Sequence, residues 1–399
     1  MAPSDFTSAG PLLQPGAFPD LAEEREILDS VNLEPLIEAV AKPYPGVGRR
    51  PHDRRAIVRA HFMAYLHKTM IGTVTALHWT LMNNVTLRSA CGFKGRVPSR
   101  PTLSRVGTQM AEYPEAVERI MDEVVREAKR MHPDLGEELA VDATPVRSYS
   151  DGNRKPPSDP DAEWGMHHKA NTKEGSEWVF GYKLHVAADA NYDFPIAMKF
   201  TPGNANDSPH MIPVVENAEK RLGGFPRRVL GDRGYDAAAS SQWVDERGGA
   251  PIIHKRRSKS GLHQGEYTTD GIPICECGEV REYQFTNPAN GVHHYGRAPD
   301  CRSDDENSLC FMTFWVNPQE NVRLFGGDVR RGIDEWKQGY KKRWSVERVF
   351  SRWKVEGRLN DHRFRQSKTI RLHAMLQMLA LQAVILTRMK TEDAAALAA

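Results

Sequence analysis

A mixed α/β core, preceded by a helical region and interrupted by a β-rich insertion, is the architecture that this 399-residue sequence predicts. Apolar residues recur with a helical period up to about Arg130 and with a period near two beyond His132-Pro133. Short apolar runs then alternate with helical segments in the order strand, strand, strand, helix, strand, helix, strand, helix. A polar stretch from about His254 to Asp334, with Gly261, Gly265, Gly271, Gly278 and four of the five cysteines, breaks that order. The resulting boundaries are 21–110 for the helical region, 135–255 and 334–390 for the two parts of the core, and 256–333 for the insertion.

Within the helical region, Ile57, His61, Met63 and Leu66 lie close to one helix face, and Leu77, Leu81 and Val85 continue the pattern. Breaks fall at Pro43-Tyr44-Pro45-Gly46 and between Gly92 and Pro101, and Ser99 or Thr102 is placed to cap the next helix. A longer amphipathic helix from about Tyr113 to Arg130 carries Val117, Ile120, Val124 and Ala128 on one face. Arg49, Arg50, Arg54, Arg55, Arg88, Lys94, Arg96 and Arg100 suit either a DNA-binding bundle or helix packing alone.

In the core, Glu138 to Val141 reads as a strand ending at Asp142, and Val179 to Ala188 and Pro195 to Phe200 as two more joined by a turn. Asp207-Ser208-Pro209 opens a helix that Gly223-Gly224 closes. Arg228 to Gly231 is a short strand ending at Asp232, Asp236 is placed to cap the following helix, and Pro251 to Ile253 is a further strand. The first three strands are expected to form an antiparallel meander and the later ones to cross over through helices, giving a mixed sheet.

Composition bounds the function classes. With 40% hydrophobic and 27% charged residues the chain is an ordinary globular protein, long enough for two or three domains. The first twenty residues lack a basic start followed by an apolar core, so no secretory leader is expected. Ala374 to Leu386, short and interrupted by Gln377 and Gln382, reads as a buried helix and not as a membrane span. An odd cysteine count argues against a disulfide framework and for a cytoplasmic protein. Net charge is only +2, but between Lys341 and Arg371 stand 11 Lys and Arg against three acids. That excess is a candidate phosphate footprint, with a smaller run at Lys255-Arg256-Arg257 and Lys259.

Three acids carry the chemistry. Asp142 and Asp232 each follow a short apolar run and precede a turn, and groups just past strand ends gather at one edge of an open sheet. In the run from Tyr340 to Lys354, a single helix would bring Tyr340, Arg343, Glu347 and Lys354 within about 60° of one another. Three carboxylates in one place repel unless cations neutralise them, and an all-oxygen set favours Mg²⁺ or Mn²⁺ over zinc. Two such ions would clamp the attacking and leaving oxygens of a phosphodiester.

The motifs Asp142-Ala143-Thr144, Asp232-Arg233-Gly234-Tyr235 and Tyr340…Arg343…Glu347…Lys354 resemble those of bacterial insertion-sequence transposases of the DDE type, with a YREK-like signature. The resemblance runs through most of the chain and implies a ribonuclease-H-like core in which Asp142, Asp232 and Glu347 hold two Mg²⁺ or Mn²⁺ ions. It implies that Tyr340, Arg343 and Lys354 contact DNA near the scissile phosphate. The partners it implies are double-stranded DNA, both terminal inverted repeats and target, and a second copy of the chain in a homodimeric synaptic complex, nucleoid-associated and with no membrane. The implied activity is cleavage at element ends followed by strand transfer of the 3′-hydroxyl. A metal-dependent nuclease on the same core and a transposase-derived DNA-binding regulator stand as alternatives. Lys183, His185 and Asp207 fall near the site but are set outside the catalytic group, Asp207 being placed as a helix cap. Cys275, Cys277, Cys301 and Cys310 offer a four-sulfur zinc set. Their spacings depart from the usual pairs, so free thiols are expected there.

Overall fold

The computed structural model describes residues 21–41, 51–67, 73–168, 175–256, 267–268, 270–304, 308–331 and 333–398. Pro43 to Gly46, Arg49, Arg50, Arg257, Lys259, Gly261 and Gly265 lie outside them. The chain divides into two compact units, Met1–Ile120 and Met121–Ala399, with the boundary inside a long helix.

The first unit is helical: α1 (Ala22–Ser30), α2 (Glu34–Ala39), α3 (Arg54–Leu66), α4 (Val74–Asn83), α5 (Val85–Cys91) and α6 (Arg100–Met110) precede the boundary helix α7 (Pro114–Met131). Helix α3 is the hub. It packs on α1, α2, α4, α5 and α6, and it buries Ile57, Val58, Ala60, Phe62 and Met63 completely. Such all-round burial leaves it little polar face. Its start is capped by Asp53, whose carboxylate accepts the Arg55 amide at 2.9 Å. Asn84 ends α4 and caps α5 through the Leu87 amide, which is why Val85 is exposed and does not continue the α4 stripe. At α6 the Ser99 hydroxyl meets the Thr102 hydroxyl and caps no amide.

The second unit is a mixed α/β body. Strands β1 (Glu138–Arg147), β2 (Glu163–His168), β3 (Ser176–Asp189) and β4 (Pro195–Pro202) are followed by α8 (Met211–Leu222), β5 (Arg228–Gly231), α9 (Ala238–Glu246) and β6 (Ala250–Ile253). The sheet order is β2-β3-β1-β5-β6, with β4 also on β3. Pairing is antiparallel from β1 to β3 and β3 to β4, and parallel from β1 to β5 and β5 to β6. The meander and the crossovers are as the sequence predicts. Strand β2, which pairs with the first half of β3, is additional.

Two more departures bear on the site. Strand β1 does not stop at Asp142 but runs on to Arg147, paired with β3 throughout. Asp236 does not cap α9; both its oxygens are held by Arg323 at 2.8 Å and one by the Arg256 amide.

Between β6 and the last helices lies a small antiparallel sheet of β7 (Tyr283–Thr286), β8 (His293–Tyr295) and β9 (Phe314–Val316), followed by α10 (Val322–Phe325). Helices α11 (Asp334–Lys341) and α12 (Trp344–Ser351), a π-helical turn Arg352–Glu356 and α13 (Ser367–Ala398) complete the chain. Helix α13 is long and apolar enough to cross a membrane by composition, yet 78% of its apolar window is buried inside the fold, where it packs on β4. Its interrupting polar residues have partners: Gln382 donates to the Pro195 carbonyl at 2.8 Å and Gln377 to the Gly357 carbonyl. His373 bonds the Leu359 carbonyl at 3.1 Å.

Candidate active site and nucleic-acid interface

The register of one parallel pair assembles the first two acids. Pairing between β1 and β5 ends at Val141 with Gly231, so Asp142 and Asp232 are the next residue on each strand. Parallel neighbours in register present their side chains to the same face, with the strands roughly 4.8 Å apart. Asp232 keeps an extended backbone, and its carboxylate accepts the Gly234 amide at 2.7 Å, closing a tight turn. Asp142 accepts its neighbour's amide, Ala143, at 2.8 Å.

Helix α12 supplies the third. It packs on β1 and β3, burying Val346, Val349 and Phe350. Its entry is fixed by Lys342, whose ammonium reaches the buried Glu138 at 2.5 Å, with Arg228 at 2.9 Å on the other oxygen. The run from Tyr340 to Lys354 is therefore not one helix. Lys342, Arg343 and Ser345 donate amides three residues back, so a tightened turn joins α11 to α12.

Asp142, Asp232, Glu347, Arg343 and Lys354 line one cleft of ≈ 540 Å³ together with Lys183, Asp207, His167 and Tyr182. Arg343 bridges two of the acids, at 2.7 Å from Glu347 and 3.5 Å from Asp142. Burial first, and then the Asp232 charge, push the Asp142 carboxyl up to about 7, against the opposing pull of the Ala143 amide and Arg343. The cleft is short of positive charge. The three carboxylates share the cleft without closing into a tight ligand cluster, Glu347 being drawn to Arg343 with its side chain half exposed. Lys354, on the π-helical turn, has its ammonium pushed down by burial.

Tyr340 does not line the cleft. Its ring lies parallel on Trp336 at 5.4 Å and edge-on to His254 at 4.1 Å, with the Arg343 guanidinium 5.7 Å away. An open stacking face is thus not what this tyrosine offers; it lies beneath Arg343. Asp207 does not cap the turn after it and instead receives Lys183 at 3.0 Å. Lys183 is the cleft cation that sequence reasoning set aside, and its alternation with buried Tyr182 and Leu184 was the available signal. His185 is fully buried behind it, bonded to Thr201 at 3.1 Å, and burial with His210, Lys183 and Lys199 nearby pushes it down to about 3, so it stays neutral.

The basic run after Lys341 is partly consumed inside the chain. Besides Lys342 and Arg343, Arg348 and Arg352 both hold Asp193, and Arg358 holds Asp361. In the first unit, a groove of ≈ 1030 Å³ collects Arg54, Arg96, Arg105, His52 and His78. Burial and the charge of Arg105 lower the Arg54 guanidinium, which marks a place that would welcome an anion.

Comparison with known proteins gives the family of the chain. The family described as Transposase DDE domain matches residues 134–382, and the Transposase domain (DUF772) family matches residues 17–109. A protein of Burkholderia cepacia assigned as transposase for insertion sequence element IS402 is 36% identical over 93 residues, 22% of this chain. The match spans 44% of the length of that relative. A cryo-EM structure of the piggyBac transposase synaptic complex with hairpin DNA aligns with 92% of this chain and 74% of its own. Its TM-score of 0.42 at 13% identity is too weak a likeness to carry an argument. On the match across most of its second unit, the chain belongs to the DDE-domain transposase family.

Proposed function

We propose that this chain is an insertion-sequence DNA transposase with a ribonuclease-H-like core, acting on bacterial DNA in the cytoplasm. The observation that carries the reading is the pairing register that sets Asp142 and Asp232 side by side in the cleft that also holds Glu347. Those three carboxylates are the proposed metal ligands. The site fits hard divalent cations: its donors are all oxygens, and burial and the neighbouring Asp232 charge both penalise an ionised Asp142, a penalty that a bound cation would relieve. When bound, a pair of Mg²⁺ or Mn²⁺ ions supplies Lewis acidity for in-line displacement at a phosphodiester.

The remaining roles belong to the chain's own side chains. Arg343 and Lys354 take phosphate oxygens of the element end, Arg343 as a bidentate fork and Lys354 as a point charge. Tyr340 sets the plane of Arg343, and Lys183 adds a cation at the cleft wall. Arg54, Arg96 and Arg105 in the first unit hold DNA through its phosphates. Two element ends held at once require two copies, so the working form is a homodimer on double-stranded DNA.

A strand-transfer assay tests the reading, using linear DNA bearing the sequence that flanks the coding region. Transposition requires Mg²⁺-dependent joined product that is lost in Asp232→Asn. Cleavage without joining would make the chain a nuclease, and retarded but uncut DNA would make it a DNA-binding regulator.

A further inference from the structure

Between Asp232 and Glu347 in the chain, four thiols converge. Cys275, Cys277, Cys301 and Cys310 place their sulfurs within 4.8 Å of one another, with Cys277 and Cys301 at 3.5 Å. In a tetrahedral ZnS₄ site with Zn–S near 2.3 Å, the sulfurs stand about 3.8 Å apart. The observed set is that tetrahedron slightly loosened. It is too open for disulfides, whose sulfurs approach to about 2.05 Å, and all four cysteines are free.

The backbone is shaped for the purpose. Cys275-Glu276-Cys277-Gly278 turns sharply, with Gly278 at φ +87 donating its amide to the Cys275 carbonyl at 2.9 Å. That left-handed glycine lets two cysteines only two apart face one point, which a sequence count of the usual spacing overlooks. Cys301 and Cys310 come from the two ends of the connection between β8 and β9, and buried Arg281 holds the second end through the carbonyls of Leu309 and Met312 at 2.6 and 2.7 Å. Arg297 holds the first through Cys301 and Ser303. The Ser308 hydroxyl caps the turn that carries Cys310, accepting the Cys310 amide at 3.2 Å.

Among its described residues the insertion has only a small apolar centre. Its buried apolar side chains are few: a cluster of Cys275, Ala298 and Cys310 with Cys301 against it, and Tyr295, Val316 and Leu324 besides, while its strands are three or four residues long. So small a sheet with so few apolar side chains needs a staple to persist. We infer that the insertion is a zinc module in which Cys275, Cys277, Cys301 and Cys310 bind one Zn²⁺ in a closed, structural site. Soft sulfur ligands select zinc against the hard ions suited to the carboxylates. All four positions are filled by protein, so no water is left for catalysis.

The full chain, purified without chelators and dialysed against Mg²⁺ buffer, should retain about one zinc per molecule by elemental analysis. Titrating the wild-type thiols with an organomercurial should release that zinc in step with four cysteines, independently of any variant's folding. Exchange with Co²⁺ should give thiolate-to-cobalt charge transfer and the visible bands of a tetrahedral site. Cys301→Ser with Cys310→Ser should lose the zinc while the Mg²⁺ response of the carboxylate cleft persists. Zinc-free protein whose four thiols are reduced, protein with disulfides among these cysteines, or zinc retained by the double variant would each overturn the inference.

Discussion

Asp142→Asn should make the metal-free protein more stable while abolishing its chemistry. The side chain is only 22% exposed, lies in register beside Asp232, and has one loose cation contact at 3.5 Å. Its ionisation in the fold is therefore uphill, which the rise of its carboxyl to about 7 expresses. Against an ordinary aspartate near 3.9, and at about 1.36 kcal/mol per pH unit, the fully ionised group costs the fold roughly 4 kcal/mol. The sign follows from proton counting. Between about pH 4 and pH 7 the folded state binds more protons than the unfolded, so the penalty is absent below that window, grows through it and is complete above it. Asparagine removes the penalty and preserves the shape. In EDTA at pH 8 the variant's second unit should melt on the order of 5–8 °C above wild type, given about 2 °C per kcal/mol for a body this large. At pH 4 the advantage should vanish. Saturating Mg²⁺, at a hundred times its dissociation constant, adds about 2.7 kcal/mol to wild type only and should narrow the gap. A variant no more stable than wild type at pH 8 without metal would refute the claim that burial and the neighbouring Asp232 charge penalise an ionised Asp142.

Further outcomes can be measured. Glu347→Gln should reduce cleavage at element ends on the order of 10³-fold, about 4 kcal/mol of transition-state stabilisation, with DNA retardation in gels unchanged. Arg54→Ala with Arg105→Ala should weaken DNA binding and lower the slope of log affinity against log salt by about 2, one per lost phosphate contact. A changed affinity with an unchanged slope would remove DNA from that groove. Burial, with His362 adjacent, pushes His373 down to about 3, and burial pushes His362 down to about 4, so both are neutral in the fold and protonate on unfolding. Stability should fall as pH drops from about 6.5, by about 1.4 kcal/mol per pH unit for each histidine. His373→Gln, which keeps a donor for the Leu359 carbonyl, should flatten the decline in acid unfolding curves.

The sequence made the strands and the crossovers legible because each is a local signal: an alternation or a turn. What it hid was decided by pairing. Thr144-Pro145 looked like a terminator after Asp142, yet β1 continues to Arg147, because past Val141 it has lost its β5 neighbour. A proline is tolerated on a strand with one free side. The basic helix face looked like a footprint until its partners appeared: Glu138 for Lys342 and Asp193 for Arg348 and Arg352 lie about 150 to 200 residues away in the chain. The packing of Tyr340 was hidden because Trp336, one helical turn earlier, reveals its stacking only when the rotamers are known. The cysteines are the sharpest case. Spacing reports distance along a chain, and here a short sheet and a left-handed glycine bring distant loops together.

The parallel register of β1 and β5 sets how this protein tolerates genetic damage. Replacing one core aliphatic residue by another in either strand leaves the count from the last backbone rung to each aspartate untouched, so such copies stay competent. Losing or gaining a single codon before Asp142 or Asp232 turns that carboxylate to the opposite side of the sheet, although every residue of the triad is still encoded. An inactivated copy can therefore look intact to a motif search and be betrayed only by its odd spacing.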